Sequence, residues 1–133
     1  MEDFDPIVSP VEGGSGHAVV MTVRGPINPD ELGVTLSHDH ILMDGWAIFR
    51  SYAVILDDEA TATEELRRYR AAGGRAIADP TNIGLGRDPA AIRRISEAAD
   101  VHIVMGAGWY REPVYPPDID VRSTDDIADQ LVR

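Results

Sequence analysis

The chain has 133 residues, 44% of them hydrophobic, which suits one globular core. It contains no cysteine, so neither a disulfide framework nor thiolate metal ligation is available; it also contains no lysine, and its formal charge is −11. An acidic chain of this kind is a poor partner for nucleic acid or an anionic membrane surface, and no stretch approaches the roughly 20 apolar residues of a membrane span.

Residues 1–17 read as a flexible tail, because "SPVEGGSGH" mixes Pro, Gly and Ser without periodicity. Met1 to Pro10 carries acids where a secretory signal carries a basic segment, so a cytoplasmic location is expected. Order is expected to begin with the β-branched run "AVVMTVRG", Ala18 to Gly25, closed by Gly25-Pro26 and Asn28-Pro29. A second strand, "GVTLSHD", starts at Gly33 and runs into a long loop, "HILMDGWAIFRSYAVILDD", with no clean period.

From there the chain alternates. "DDEATATEELRRYRAAGG" predicts a helix, with acids in its first turn, Leu66, Tyr69 and Ala72 on one face, and Gly73-Gly74 as a stop. "RAIADPT" predicts a short strand. "RDPAAIRRISEAAD" predicts a helix with Asp88 as N-cap, Pro89 at the first position, and Ile92, Ile95 and Ala99 facing the core. "VHIVMGAG" predicts another strand, and "STDDIADQLVR" a helix opened by Ser123 and Asp126 at capping-box spacing. Such alternation is the mark of parallel βα units. Three such units leave both sheet edges bare, and a (β/α)8 barrel takes roughly 250 residues, so the expected architecture is the first part of that barrel. A small open α/β sheet is the alternative.

His38 and His40 stand two apart at the end of a strand, where side chains share a face, so both can reach one ion while Asp39 points to the helix side. Taken alone, His-x-His fits a polar strand end as well as a ligand pair. "GPINPDELGVTLSHDHILMD", "AIADPTNIGLGRD" and "AADVHIVMGAGWY" together resemble the phosphotriesterase family of the amidohydrolase superfamily, in order and spacing, from about Val20 onward. The resemblance implies a (β/α)8 barrel with a two-metal centre at its mouth, Zn²⁺ first, with Fe, Co or Mn as alternatives. It implies that His38 and His40 ligate the more buried metal, with Asp39 standing where the family usually has Glu. It also implies attack of a metal-activated hydroxide on a small-molecule lactone, ester or organophosphate. Tyr110 matches a tyrosine that lactonase-like members carry after Gly-x-Gly, which implies a catalytic role.

The family's remaining ligands come from later strands, beyond the span of this chain. Residues 18–133 are therefore expected to be the N-terminal portion of the hydrolase, carrying part of the site and pairing with a missing C-terminal half or with copies of itself. A catalytically inactive fragment is one alternative. A small domain binding a phosphorylated ligand through "GLGRD", Gly84 to Asp88, is another. A tight βα turn explains that loop better, since a dinucleotide fingerprint needs glycine where Pro89 stands. His17 lies in the expected tail, and His102 sits at the strand start, opposite the mouth. Trp109 suits packing or a pocket wall equally, and Asp44 and Asp79 read as turn acids. Arg67-Arg68 and Arg93-Arg94 read as solvated helix faces.

Overall fold

The computed structural model describes residues 18–131. The expected tail, His17 with it, and the last two residues of the run expected to form the final helix, Val132 and Arg133, lie outside that range. In chain order the elements are β1 (Val20–Thr22), β2 (Gly25–Ile27), β3 (Thr35–Leu36), β4 (Met43–Asp44), α1 (Trp46–Phe49), β5 (Ile55–Leu56), α2 (Glu59–Ala71), β6 (Ala76–Asp79), α3 (Pro89–Ala99), β7 (His102–Met105) and α4 (Thr124–Leu131). β3, β6 and β7 form one parallel sheet in that order, while β1–β2 and β4–β5 are antiparallel pairs. Three βα units follow an N-terminal β segment, and the sheet is not closed into a barrel among the described residues. The long loop holds β4, α1 and β5, each too short to leave a period in the sequence.

The helices begin and end where their chemistry dictates. Asp58 accepts from the Ala60 and Thr61 amides at the start of α2. Asp88 accepts from the Ala90 and Ala91 amides at the start of α3, with Pro89 at its first position. Ser123 and Asp126 bond reciprocally before α4, completing the expected capping box. Ala91, Ile92, Ile95 and Ala99 from α3 meet Leu66 of α2, Ile77 of β6 and Ile103 of β7 in the core. Ser96 is buried among them and donates to the Val101 carbonyl at 2.6 Å, so its hydroxyl is not left unpaired.

Two features depart from a regular half-sheet. The Val23 amide donates to the Ile103 carbonyl at 2.9 Å, so the β1–β2 hairpin engages the edge of β7 that was expected to be bare. At the other edge, Thr35 pairs with Ala76 and Leu36 with Ile77. Carried forward, that register has the His38 amide donate to Ala78. Asp39 does so instead, at 3.1 Å, so one extra residue is absorbed between Leu36 and Asp39 as a bulge. This explains why β3 is far shorter than the apolar run that predicted it. Asp39 is exposed, not packed into a helix-side layer, because it lies past Leu36, where the regular β3–β6 pairing ends.

Candidate functional site

The bulge lies where the histidine pair begins, and bulges commonly re-aim side chains near sites. Beyond it the His38 and His40 rings meet edge to face, with centroids 5.5 Å apart. His38 is exposed and His40 half-buried. The end of β6 and the loop after it supply the neighbours. His40 Nδ1 lies 2.8 Å from Thr81 Oγ1 and 4.0 Å from Asp79 Oδ1.

Asp79 was expected to be a turn acid, and one of its oxygens serves that role by accepting from the Thr81 amide at 2.8 Å. Its other oxygen, Oδ2, is buried without a hydrogen-bond partner among the described residues. Burial pushes the Asp79 carboxyl above the usual carboxylate range, against the lowering effects of Thr81, of His40 and of the Ile41 amide, which approaches the carboxyl without meeting hydrogen-bond geometry at Oδ2. Nothing in the local sequence marks this burial directly. The nearest sign was a carboxylate ending an apolar strand one residue before proline.

The fit to a divalent metal can be tested on these atoms. Two adjacent imidazoles are borderline donors suited to Zn²⁺ and its neighbours. With His40 Nδ1 turned to Thr81, the nitrogen left for an ion is Nε2. An orphaned buried carboxylate oxygen nearby favours positive charge. The pair therefore fits as two ligands of a larger set. No group of three or more His, Asp or Glu residues able to hold a metal converges among the described residues.

The loop after β7 stands beside these elements. The Ile83 amide donates to Gly108 and the Tyr110 amide to Ile83, each at 3.0 Å, tying the β6 and β7 loops together through the Ile83–Trp109 bridge. The Tyr110 ring lies 6.0 Å from that of Phe49, and the Arg111 guanidinium sits 5.5 Å from both ring centres. Tyr110 is 41% exposed, so this aromatic group is a surface wall. The structure brings Tyr110 to Phe49 and Arg111, and brings His38 to His40.

The remaining expectations have structural explanations. Gly84 and Gly86 both take positive φ, at 99° and 76°. Side chains at these positions would run into Val114 and the Asp44 backbone, so "GLGRD" is a packed turn into the α3 cap. Asp44 accepts from the Trp46 amide at 2.9 Å. His102 begins β7 and its Nδ1 lies 2.9 Å from an Arg24 nitrogen, away from the histidine pair. A hollow of about 400 Å³ lies under the hairpin, lined by Met21, Val23, Arg87 and Met105, and neither His38 nor His40 reaches it. No helix of the described residues is long and apolar enough to cross a membrane.

Comparison with known proteins places the geometry in context. The profile of the phosphotriesterase family matches residues 18–133. An N-acetyltaurine hydrolase of Tetraodon nigroviridis is 29% identical over 143 residues, covering 85% of this chain and 41% of that protein. A phosphotriesterase-related protein of Aedes aegypti is 31% identical over 149 residues, covering 87% and 42%. The crystal structure of a resiniferatoxin-binding protein from Rhodobacter sphaeroides superposes with a TM-score of 0.73 at 35% identity, covering 84% of this chain and 39% of that one. The chain thus spans about two-fifths of the length of the curated relatives it matches.

Proposed function

Since this chain belongs to the phosphotriesterase family, we propose that it is the N-terminal portion, residues 18–133, of a metal-dependent (β/α)8 hydrolase. In this reading His38 and His40 hold a divalent metal, Zn²⁺ first. The observation that carries it is the edge-to-face approach of the two rings at 5.5 Å, just past a parallel strand. Active sites of (β/α)8 barrels sit at the C-terminal ends of the strands, which is where this pair stands. A metal held there supplies Lewis acidity and lowers the pKa of a water.

The chain's own residues divide the remaining work. His38 and His40 each present a ring nitrogen, and the Asp79 carboxyl lies buried beside them, its Oδ1 4.0 Å from His40 Nδ1. Phe49, Tyr110 and Arg111 form a wall against which a small lactone, ester or organophosphate can rest. The Tyr110 phenol can donate a hydrogen bond to a substrate oxygen as charge develops on it. A phenol at this position favours a carbonyl substrate over a bulky phosphotriester, which gains more from a flat wall.

The test joins this chain to the C-terminal remainder of a related family member and compares lactone with phosphotriester hydrolysis. One such hydrogen bond is worth about 1–3 kcal/mol, or roughly 5- to 150-fold in rate. Tyr110→Phe is expected to lower kcat/KM for the lactone by that order, to spare the phosphotriester, and to leave metal content unchanged. Equal losses on both substrates, or none on the lactone, would reduce Tyr110 to packing.

A further inference from the structure

We infer that Thr81 is a positioning residue that selects the tautomer of His40 and fixes its ring, an inference resting on the reading of His40 as a metal ligand. Thr81 is 1% exposed and meets three partners. Its Oγ1 lies 2.8 Å from His40 Nδ1 and 3.2 Å from the Leu42 carbonyl oxygen, and its amide donates to Asp79 Oδ1 at 2.8 Å. A hydroxyl carries one proton, and a carbonyl only accepts. Both Oγ1 contacts are satisfied together in one way: Thr81 donates to Leu42 and accepts from a protonated His40 Nδ1. That leaves Nε2 with its lone pair free.

The reverse arrangement has Thr81 donate to His40 Nδ1. It would leave the Leu42 carbonyl without the Thr81 proton and place His40's own proton on Nε2, the nitrogen a metal needs. Leu42 is 9% exposed, so its unpaired carbonyl would carry a desolvation cost. Asp79 does not take Thr81's place directly, because 4.0 Å to His40 Nδ1 is too long for a hydrogen bond. The carboxylate acts through Thr81, holding its amide across the rigid Pro80. Outer partners of this kind orient a ligating imidazole and raise the basicity of its other nitrogen.

The experiment uses the full 133-residue chain with ¹⁵N-labelled histidine. Long-range ¹H–¹⁵N correlation of the metal-free protein reports which His40 nitrogen is protonated. The expected result is the Nδ1–H form in wild type and in Thr81→Ser, and a shift toward Nε2–H in Thr81→Val. Zn²⁺ affinity by calorimetry is expected to fall about 10- to 100-fold in Thr81→Val and to recover in Thr81→Ser. An Nε2–H tautomer in wild type would overturn the inference, as would a Thr81→Val protein with unchanged tautomer and affinity. Should Thr81→Val melt early, the tautomers of wild type and Thr81→Ser still decide. A His38→Ala/His40→Ala variant that binds Zn²⁺ as wild type does would defeat the metal reading alone, leaving the tautomer measurement to judge Thr81.

Discussion

Removing one phenol oxygen should loosen the strand that leads into the histidine pair. Tyr69 projects from α2 so that its hydroxyl lies between β3 and β6. It accepts from the Leu36 amide at 3.2 Å and lies 2.9 Å from both the Val34 and Ala76 carbonyl oxygens. One proton serves only one of those carbonyls at a time, so Tyr69→Phe removes two net hydrogen bonds. At about 0.5–1.5 kcal/mol each, the sum is about 1–3 kcal/mol. Leu36 is 41% exposed, so water recovers part of the loss and the expected cost falls to about 1–2 kcal/mol. For a chain of this size that lowers Tm by roughly 3–10 °C. Gly74→Ala provides the control, because its Cβ would be driven into the Tyr69 ring and would displace the same hydroxyl. Tyr69→Phe should therefore cost less in the Gly74→Ala background than in wild type. Urea unfolding gives the energies, and amide exchange at Leu36 localises the effect. A Tyr69→Phe protein with unchanged midpoint and unchanged Leu36 protection would refute the reasoning.

Asp88→Ala removes the oxygen that caps two amides of α3 and should cost about 1 kcal/mol by urea unfolding. Ile95→Ala empties a position 1% exposed at the centre of the core and should cost about 2–5 kcal/mol by the same measurement. The Arg70 guanidinium holds the exposed Asp100 carboxyl below its usual range, so this pair's contribution is complete above the ordinary aspartate pKa. The contribution is lost as pH falls through the lowered folded-state value, and Asp100→Asn should flatten that part of the acid limb in pH-dependent melts. Val34 and Leu36 are exposed beside the open edge of β3, so sedimentation should show association that rises with concentration, and a sharply melting monomer would favour the small open sheet.

The α/β alternation was legible because α2 and α3 carry their own start signals: acids in the first turn of one, and Asp88 with Pro89 in the other, announce helices before any packing is known. The core face was legible for the same reason, since Ile92, Ile95 and Ala99 recur at helical spacing whatever they meet. The bulge after Leu36 was not, because it arises from a register between residues about 40 apart that no local window contains. Nor was the hairpin's bond from Val23 to Ile103, which joins an apolar run to an edge chosen by topology. Within the candidate site, His38 and His40 stood out as a pair through strand alternation. Thr81 did not, because a threonine after Asp-Pro reads as ordinary turn chemistry until the fold sets it against His40. The turn role of Asp79 was legible from its place before Pro80, but its burial was not, because only the packed strand end around it removes water from its second oxygen.

The most direct test of the metal assignment is a calorimetric Zn²⁺ titration of the chain against a His38→Ala/His40→Ala variant of equal melting temperature. Two imidazoles supply half of an ordinary four-ligand site, so wild type should bind weakly and the variant should lose that binding. Equal affinity in the two proteins would contradict the account, placing any bound Zn²⁺ elsewhere on this acidic chain.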